Sequence, residues 1–173
     1  CTSATVSDNT VNDNNQSGIY LASSTGDGDN GCASSTVQDN TCNTNKENGI
    51  KCVGGLANTI SGNTCTSNWN GGIMLTAPGQ VTVESNTLNT NNTYAFSGRG
   101  NTGHAGGSVY IVGTTIDANA TFAFQLNSNT ITNGSAGDQN DAIGINLEAA
   151  PDAAITIDGN TLSGMDTDIW VQS

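Results

Sequence analysis

Positive charge is almost missing from this chain: 3 Lys and Arg stand against 15 Asp and Glu in 173 residues, for a formal net charge of −12. Nucleic acid is excluded as a partner, because there is no basic surface to neutralise phosphates. Binding to an anionic membrane is disfavoured for the same reason. No apolar run approaches the roughly 20 residues that span a bilayer, so no transmembrane segment is expected. A basic-then-apolar leader is also missing from these residues, and the chain reads as mature or trimmed. No stretch sustains a helical apolar period, so helices are not expected.

What the chain has in quantity is Asn, Thr, Ser and Gly. Such a composition can signal disorder, but here Val, Ile and Leu recur at fixed positions. One phrase appears six times: an apolar residue, two polar residues, Asn-Thr, then another apolar residue. Its Asn residues are Asn9, Asn40, Asn63, Asn86, Asn129 and Asn160, separated by 31, 23, 23, 43 and 31 residues. Periods of this length mark a solenoid, in which each repeat covers the core of its neighbour. A single domain over 1–173 is expected.

Side chains alternate across a strand. The residues three before and two after each Asn are apolar, as in Ile60 and Cys65 around Asn63, and both point inward. About ten residues later comes a second inward pair: Ile19 and Leu21, Ile50 and Cys52, Ile73 and Leu75. Later copies read Tyr110 and Val112, Ile145 and Leu147, Ile169 and Val171. Gly18, Gly49 and Gly72 precede that strand, where a tight bend with positive φ is expected. The Asn is expected to point inward at a turn and stack on its equivalents, satisfying amides and backbone together.

These phrases resemble the right-handed parallel β-helix of the pectin-lyase-like superfamily, with its Asn ladder. The resemblance covers essentially the whole chain and implies an all-β fold, a β-solenoid of about six coils with no obvious end caps. At about 4.8 Å per coil the rod would be on the order of 30 Å long. The irregular steps place long loops at about 22–35, 89–108 and 132–141. Loops on one rim of a solenoid are where function resides.

The superfamily includes lyases, epimerases and hydrolases of polysaccharides as well as non-catalytic surface proteins. The enzymes use Arg or Lys with Ca²⁺, a His/Tyr pair, or clustered Asp. This chain has one Arg, Arg99, and one His, His104, both in the second long loop. Asp138 and Asp141 come from the third loop, and Trp69 and Tyr94 flank the same rim as sugar-stacking candidates. Against catalysis, the chain lacks Asp-Pro-His and lacks Asp-Asp with a partnering Gly-His, and its charge would repel an anionic polymer. Asp27, Asp29 and Asn30 are oxygen ligands on a flexible turn and candidates for Ca²⁺, though without the third spaced ligand and terminal Glu of an EF-hand.

Cys1 and Cys32 precede their Asn by the same count, and Cys42 and Cys65 hold equivalent places in adjacent coils. Stacked positions lie near the lower end of the disulfide range, so either pair is a candidate bridge. Filling a core column is the competing role for Cys42, Cys52 and Cys65. Asn15, Asn91, Asn119 and Asn133 open N-x-Ser/Thr sequons, which permit glycosylation without indicating it.

Near-absence of Lys with abundant Asn and Thr suits an extracellular or cell-surface location. The repeat enters and leaves the coil at nearly the same phase, so one copy's last coil would sit under the next copy's first. Such a head-to-tail contact does not close and builds a filament. The reading is therefore a non-catalytic structural subunit whose partner is itself. The alternative is a fragment of a polysaccharide-acting enzyme or of a carbohydrate-binding adhesin.

Overall fold

A computed structural model of the chain describes residues 3–22, 33–55, 57–76, 79–91, 109–112, 123–132, 143–148, 154–165 and 167–172. Within these residues the chain forms short strands and no helix, gathered in three parallel sheets. The first sheet stacks β1 (Thr5–Ser7), β3 (Thr36–Gln38), β6 (Asn58–Ser61), β9 (Gln80–Glu84), β12 (Ala123–Asn127) and β15 (Ala154–Asp158). A second stacks β4 (Thr41–Asn43), β7 (Thr64–Thr66), β10 (Thr87–Asn89), β13 (Thr130–Thr132) and β16 (Thr161–Ser163), with Thr10 bridged to Thr41 at its edge. The third stacks β2 (Ile19–Ala22), β5 (Asn48–Val53), β8 (Gly71–Thr76), β11 (Val109–Val112), β14 (Ile143–Glu148) and β17 (Thr167–Gln172).

Each strand pairs in parallel with its equivalents one coil away, as in Val37↔Ile60 and Ile60↔Val83. Registers of this kind line up like residues into columns running along the rod. The inward columns of the three sheets meet in one core that includes Val37, Ile60, Val83, Leu126, Leu88, Ile131, Ile73 and Leu75. The β-branched residues favoured in strands fill much of it. Residues three before and two after each Asn do point inward.

Two details of the columns differ from the sequence reading. In the fourth coil the inward pair is Val109 and Ile111, both fully buried and in register with Ile145 and Leu147. Tyr110 instead lies between Met74 and Asn146 in the alternate column. The long insertion before this strand hides the count, and a one-residue slip exchanges the two faces. The second difference concerns Gly18, Gly49 and Gly72, whose φ angles are not positive. At Gly18 and Gly49 the following coil passes too close for a Cβ: at Gly18 it would lie 2.8 Å from Asn45 Nδ2 and 2.9 Å from the Gly49 carbonyl.

Positive φ occurs elsewhere, at the residue before each Asn of the repeat. Asp8, Asp39, Ser85 and Ser128 have φ of 59°, 55°, 55° and 55°, and Gly62 and Gly159 have 65° and 62°. Short polar residues tolerate this conformation better than bulky ones. The sharp turn it makes swings the next side chain, the Asn, into the interior.

Candidate functional site

The turns are held by amide ladders. Each Asn of the repeat donates from Nδ2 to Oδ1 of the next: Asn9 to Asn40 at 2.9 Å, then Asn63, Asn86 and Asn129 at 3.0 Å each, then Asn160 at 2.9 Å. The backbone N–H of each donor residue reaches the same Oδ1. Nδ2 also reaches back to the preceding coil, as from Asn63 to the Val37 carbonyl at 2.9 Å. Every rung between Asn9 and Asn160 therefore bonds both its neighbours, and the ladder has a direction.

A second ladder, missed by the sequence reading, runs through Asn14, Asn45, Asn68 and Asn91. Its signal was a second Asn five residues after the first, in four successive repeats. Asp13, Thr44, Ser67 and Thr90 precede its rungs, again with positive φ. A third corner carries a shorter version, with Ser35 N–H donating to Asn58 Oδ1 at 2.9 Å.

Most candidate site residues lie outside the described residues: Arg99, His104, Asp138, Asp141, Tyr94, Asp27, Asp29, Asn30, Cys1, Cys32, Asn119 and Asn133. Trp69 is described and carries the Lys46 ammonium 5.8 Å from its ring centroid, a contact that competes with a sugar for the ring. Lys46 also donates to Asn15 Oδ1 at 2.8 Å, and Asn15 is exposed. Asn91 is a buried rung whose Nδ2 donates to the Cys65 carbonyl at 2.8 Å, so its amide is committed to the fold. A depression of about 240 Å³ beside Tyr20 is lined by Gln16, Ser17, Glu47 and Lys51. There Ser17 donates to Glu47, and Lys51 lies over Tyr20. Among the described residues no helix is long and apolar enough to cross a membrane.

The Cys42–Cys65 bridge is not formed. Both residues are free, fully buried thiols in direct register. In-register side chains of a parallel sheet keep their Cβ atoms about one strand spacing apart, about 4.8 Å, beyond the usual Cβ separation of a disulfide. The hydrogen bond to Cys42, and then burial, hold the Cys65 thiol well above its usual pKa. Cys42, Cys52 and Cys65 are therefore expected to resist iodoacetamide in the native protein and to react once denaturant opens the coils. Peptide mass spectrometry reads this directly; rapid native labelling of Cys65 would contradict the buried column.

What remains open among the described residues is the pair of outer coil faces. On the last coil Ile169 and Val171 are 42% and 60% exposed, whereas their column neighbours Ile145 and Leu147 are fully buried. Ile157 and Leu162 are half-buried beside them. On the first coil Val6 and Val11 are also half-buried, whereas Ile19 and Leu21 are buried. Column by column the faces match: Val6 shares a column with Ile157, Ile19 with Ile169 and Leu21 with Val171. The ladder direction adds a polar match. Asn9 begins the first ladder as a donor to Asn40, and Asn160 ends it as the acceptor from Asn129.

Stacked parallel coils with inward apolar columns and amide turns define a parallel β-helix. The family described as "Right handed beta helix region" matches residues 1–173, and the chain belongs to that family. Comparison with curated proteins and with solved structures gave no match.

Proposed function

We propose that this chain is a non-catalytic extracellular structural protein whose copies stack head to tail into a filament or surface fibre. The observation that carries the reading is the match between the two outer faces. Both carry the same apolar columns, and within the chain each inner rung of the first ladder accepts at Oδ1 from the coil before it and donates to the coil after it. A second copy laid on the last coil would repeat the contact that each coil already makes with the next. Such a contact is heterologous and does not close on itself. The composition, poor in Lys and rich in Asn and Thr, supports the extracellular placement.

The test is electron microscopy with sedimentation of purified protein across salt and Ca²⁺ concentrations. Rods of constant width are expected, lengthening in steps on the order of 30 Å, the rise of six coils. Val171→Glu places a charge on the exposed apolar face and is expected to weaken association at least about tenfold, without unfolding the subunit. Monomers alone under every condition would overturn the reading.

A further inference from the structure

The second sheet presents an outer face of nearly one composition. Thr10, Thr41, Thr64, Thr87, Thr130 and Thr161 stand in one outward column, a threonine in every coil. Two residues on, the next outward column holds Asn43, Thr66, Asn89, Thr132 and Ser163. The residues between them, such as Cys65, Leu88 and Ile131, lie in the core. Neither column contains a charge, an aromatic ring or a long aliphatic side chain, on a chain whose net charge is −12. The other two sheets are mixed. The first carries Gln38, Glu84 and Asp158 in one outward column, and the third carries Tyr20, Lys51 and Met74.

The array is also regular and stiff. Its register runs without a slip from β4 to β16, even across the longest step of the repeat, because that insertion falls outside the sheet. A ladder rung stands at each end of β4, β7 and β10: Asn40 and Asn45, Asn63 and Asn68, Asn86 and Asn91. Threonine has few χ1 choices in a strand. Asn43 is pinned as well, its Oδ1 accepting the Thr66 backbone N–H at 3.1 Å. Among the described residues the hydroxyls of the threonine column bond no protein partner, and Thr87, Thr130 and Thr161 are exposed.

Such a face repeats at about 4.8 Å from coil to coil and about 6.6 Å along each strand. Both intervals are close to the separations of water rows on the surfaces of hexagonal ice. We propose that the outer face of the second sheet binds ice. The occupant is a water lattice because a lattice presents one neutral group at fixed intervals in two directions, as this face does. Hydroxyls and Asn amides take up lattice water positions, while the threonine methyls sit between the rows. A glycan would be held by aromatic rings and a protein partner by large apolar side chains, and the face has neither. Both columns are ordered in advance, so adsorption costs little side-chain entropy. One copy carries the whole array, so the proposal does not rest on head-to-tail stacking.

Thermal hysteresis measured by osmometry, with adsorption of fluorescently labelled protein to a single ice crystal, tests the face. The wild type is expected to hold a crystal at constant size below its melting point and to coat its surface. Thr87→Tyr sets a ring in the middle of the array, and Thr130→Lys sets a charge there. Each is expected to cut hysteresis at least about fivefold at equal concentration, because a raised side chain forfeits contact across the neighbouring coils. Thr156→Tyr, at an exposed position of the first sheet, is expected to stay within about 1.5-fold of the wild type. Thermal melts establish the fold of each variant, and either array variant carries the test if the other fails to fold. A wild type with no hysteresis and no adsorption overturns the proposal, as does full hysteresis in a folded Thr87→Tyr or Thr130→Lys. An equal loss in Thr156→Tyr would place ice binding off this sheet and likewise overturn it. Sedimentation reads stacking separately: monomers that arrest ice would support the face and overturn only the filament.

Discussion

Asn63→Ala is expected to destabilise the folded protein by about 3–5 kcal/mol, far more than its loss of a few atoms suggests. Asn63 is fully buried in the middle of the first ladder. Its Nδ2 donates to the Val37 carbonyl at 2.9 Å, the Ser61 carbonyl at 3.1 Å and Asn86 Oδ1 at 3.0 Å. Its Oδ1 accepts both the backbone N–H and the Nδ2 of Asn40, each at 3.0 Å. Alanine takes the acceptor from two donors at once, and each buried group left unmade costs about 1–3 kcal/mol. It also removes the bond from Nδ2 to the Ser61 carbonyl that spans the turn at Gly62. Asn9→Ala, at an exposed end rung, is expected to cost under about 1 kcal/mol, because water replaces what is lost. Urea unfolding of both variants distinguishes the cases. Equal and small losses would mean that the ladder decorates the turns without holding them.

A central break should also show in the shape of the transition. Solenoid stability is nearly a sum of repeat and nearest-neighbour terms, so weakening one middle interface loosens the coupling between halves. The expected sign is a broader urea transition for Asn63→Ala than for the wild type, with a lower apparent m-value. Asn9→Ala should leave the slope unchanged.

The coils were legible because their signals are local and repeated. An apolar residue three before and two after an Asn, in six copies, defines two inward columns with no knowledge of distant pairing. The first ladder followed from the same copies. Two features were harder to read for definite reasons. Val109 and Ile111 lie behind a long insertion, where counting from the preceding Asn no longer fixes parity, and parity alone decides which face a strand residue takes. The role of Gly18 and Gly49 is not a local backbone property at all. It depends on an Asn and a carbonyl in the next coil, 19 or more residues away in sequence. The thiol column shows the same limit from another side. Spacing placed Cys42 beside Cys65, but whether two neighbours bond depends on the angle between side chains, which parallel register keeps nearly zero. The open faces were readable only as a phase in the repeat. Their apolar columns needed the registers of all three sheets.

Gly49→Ala is the sharpest test of close approach between coils. An alanine at a glycine position with ordinary φ would normally stabilise a protein slightly, by reducing the freedom of the unfolded chain. Here the opposite sign is expected, with a loss of about 2–4 kcal/mol. The new methyl group would meet Cys65 Sγ, the Gly72 carbonyl and Asn68 Nδ2 at 3.0 Å or less. None of the three can yield easily: Cys65 and Asn68 are fully buried, and Gly72 is in the sheet. Relief requires β5 and β8 to separate, which lengthens their hydrogen bonds and pulls on the Asn45–Asn68 rung, now 3.0 Å. Gly62→Ser provides the contrast. Its φ is +65°, yet its column already holds Asp8, Asp39, Ser85 and Ser128 at similar angles. The nearest obstacle there is the Asp39 carboxylate, at the free end of a side chain. A change within about 1 kcal/mol is expected, despite the unusual backbone angle. Thermal melts of the two variants reverse the ranking that backbone angle alone would give. A neutral or stabilising Gly49→Ala would show that the coils can spread at this position to admit a side chain.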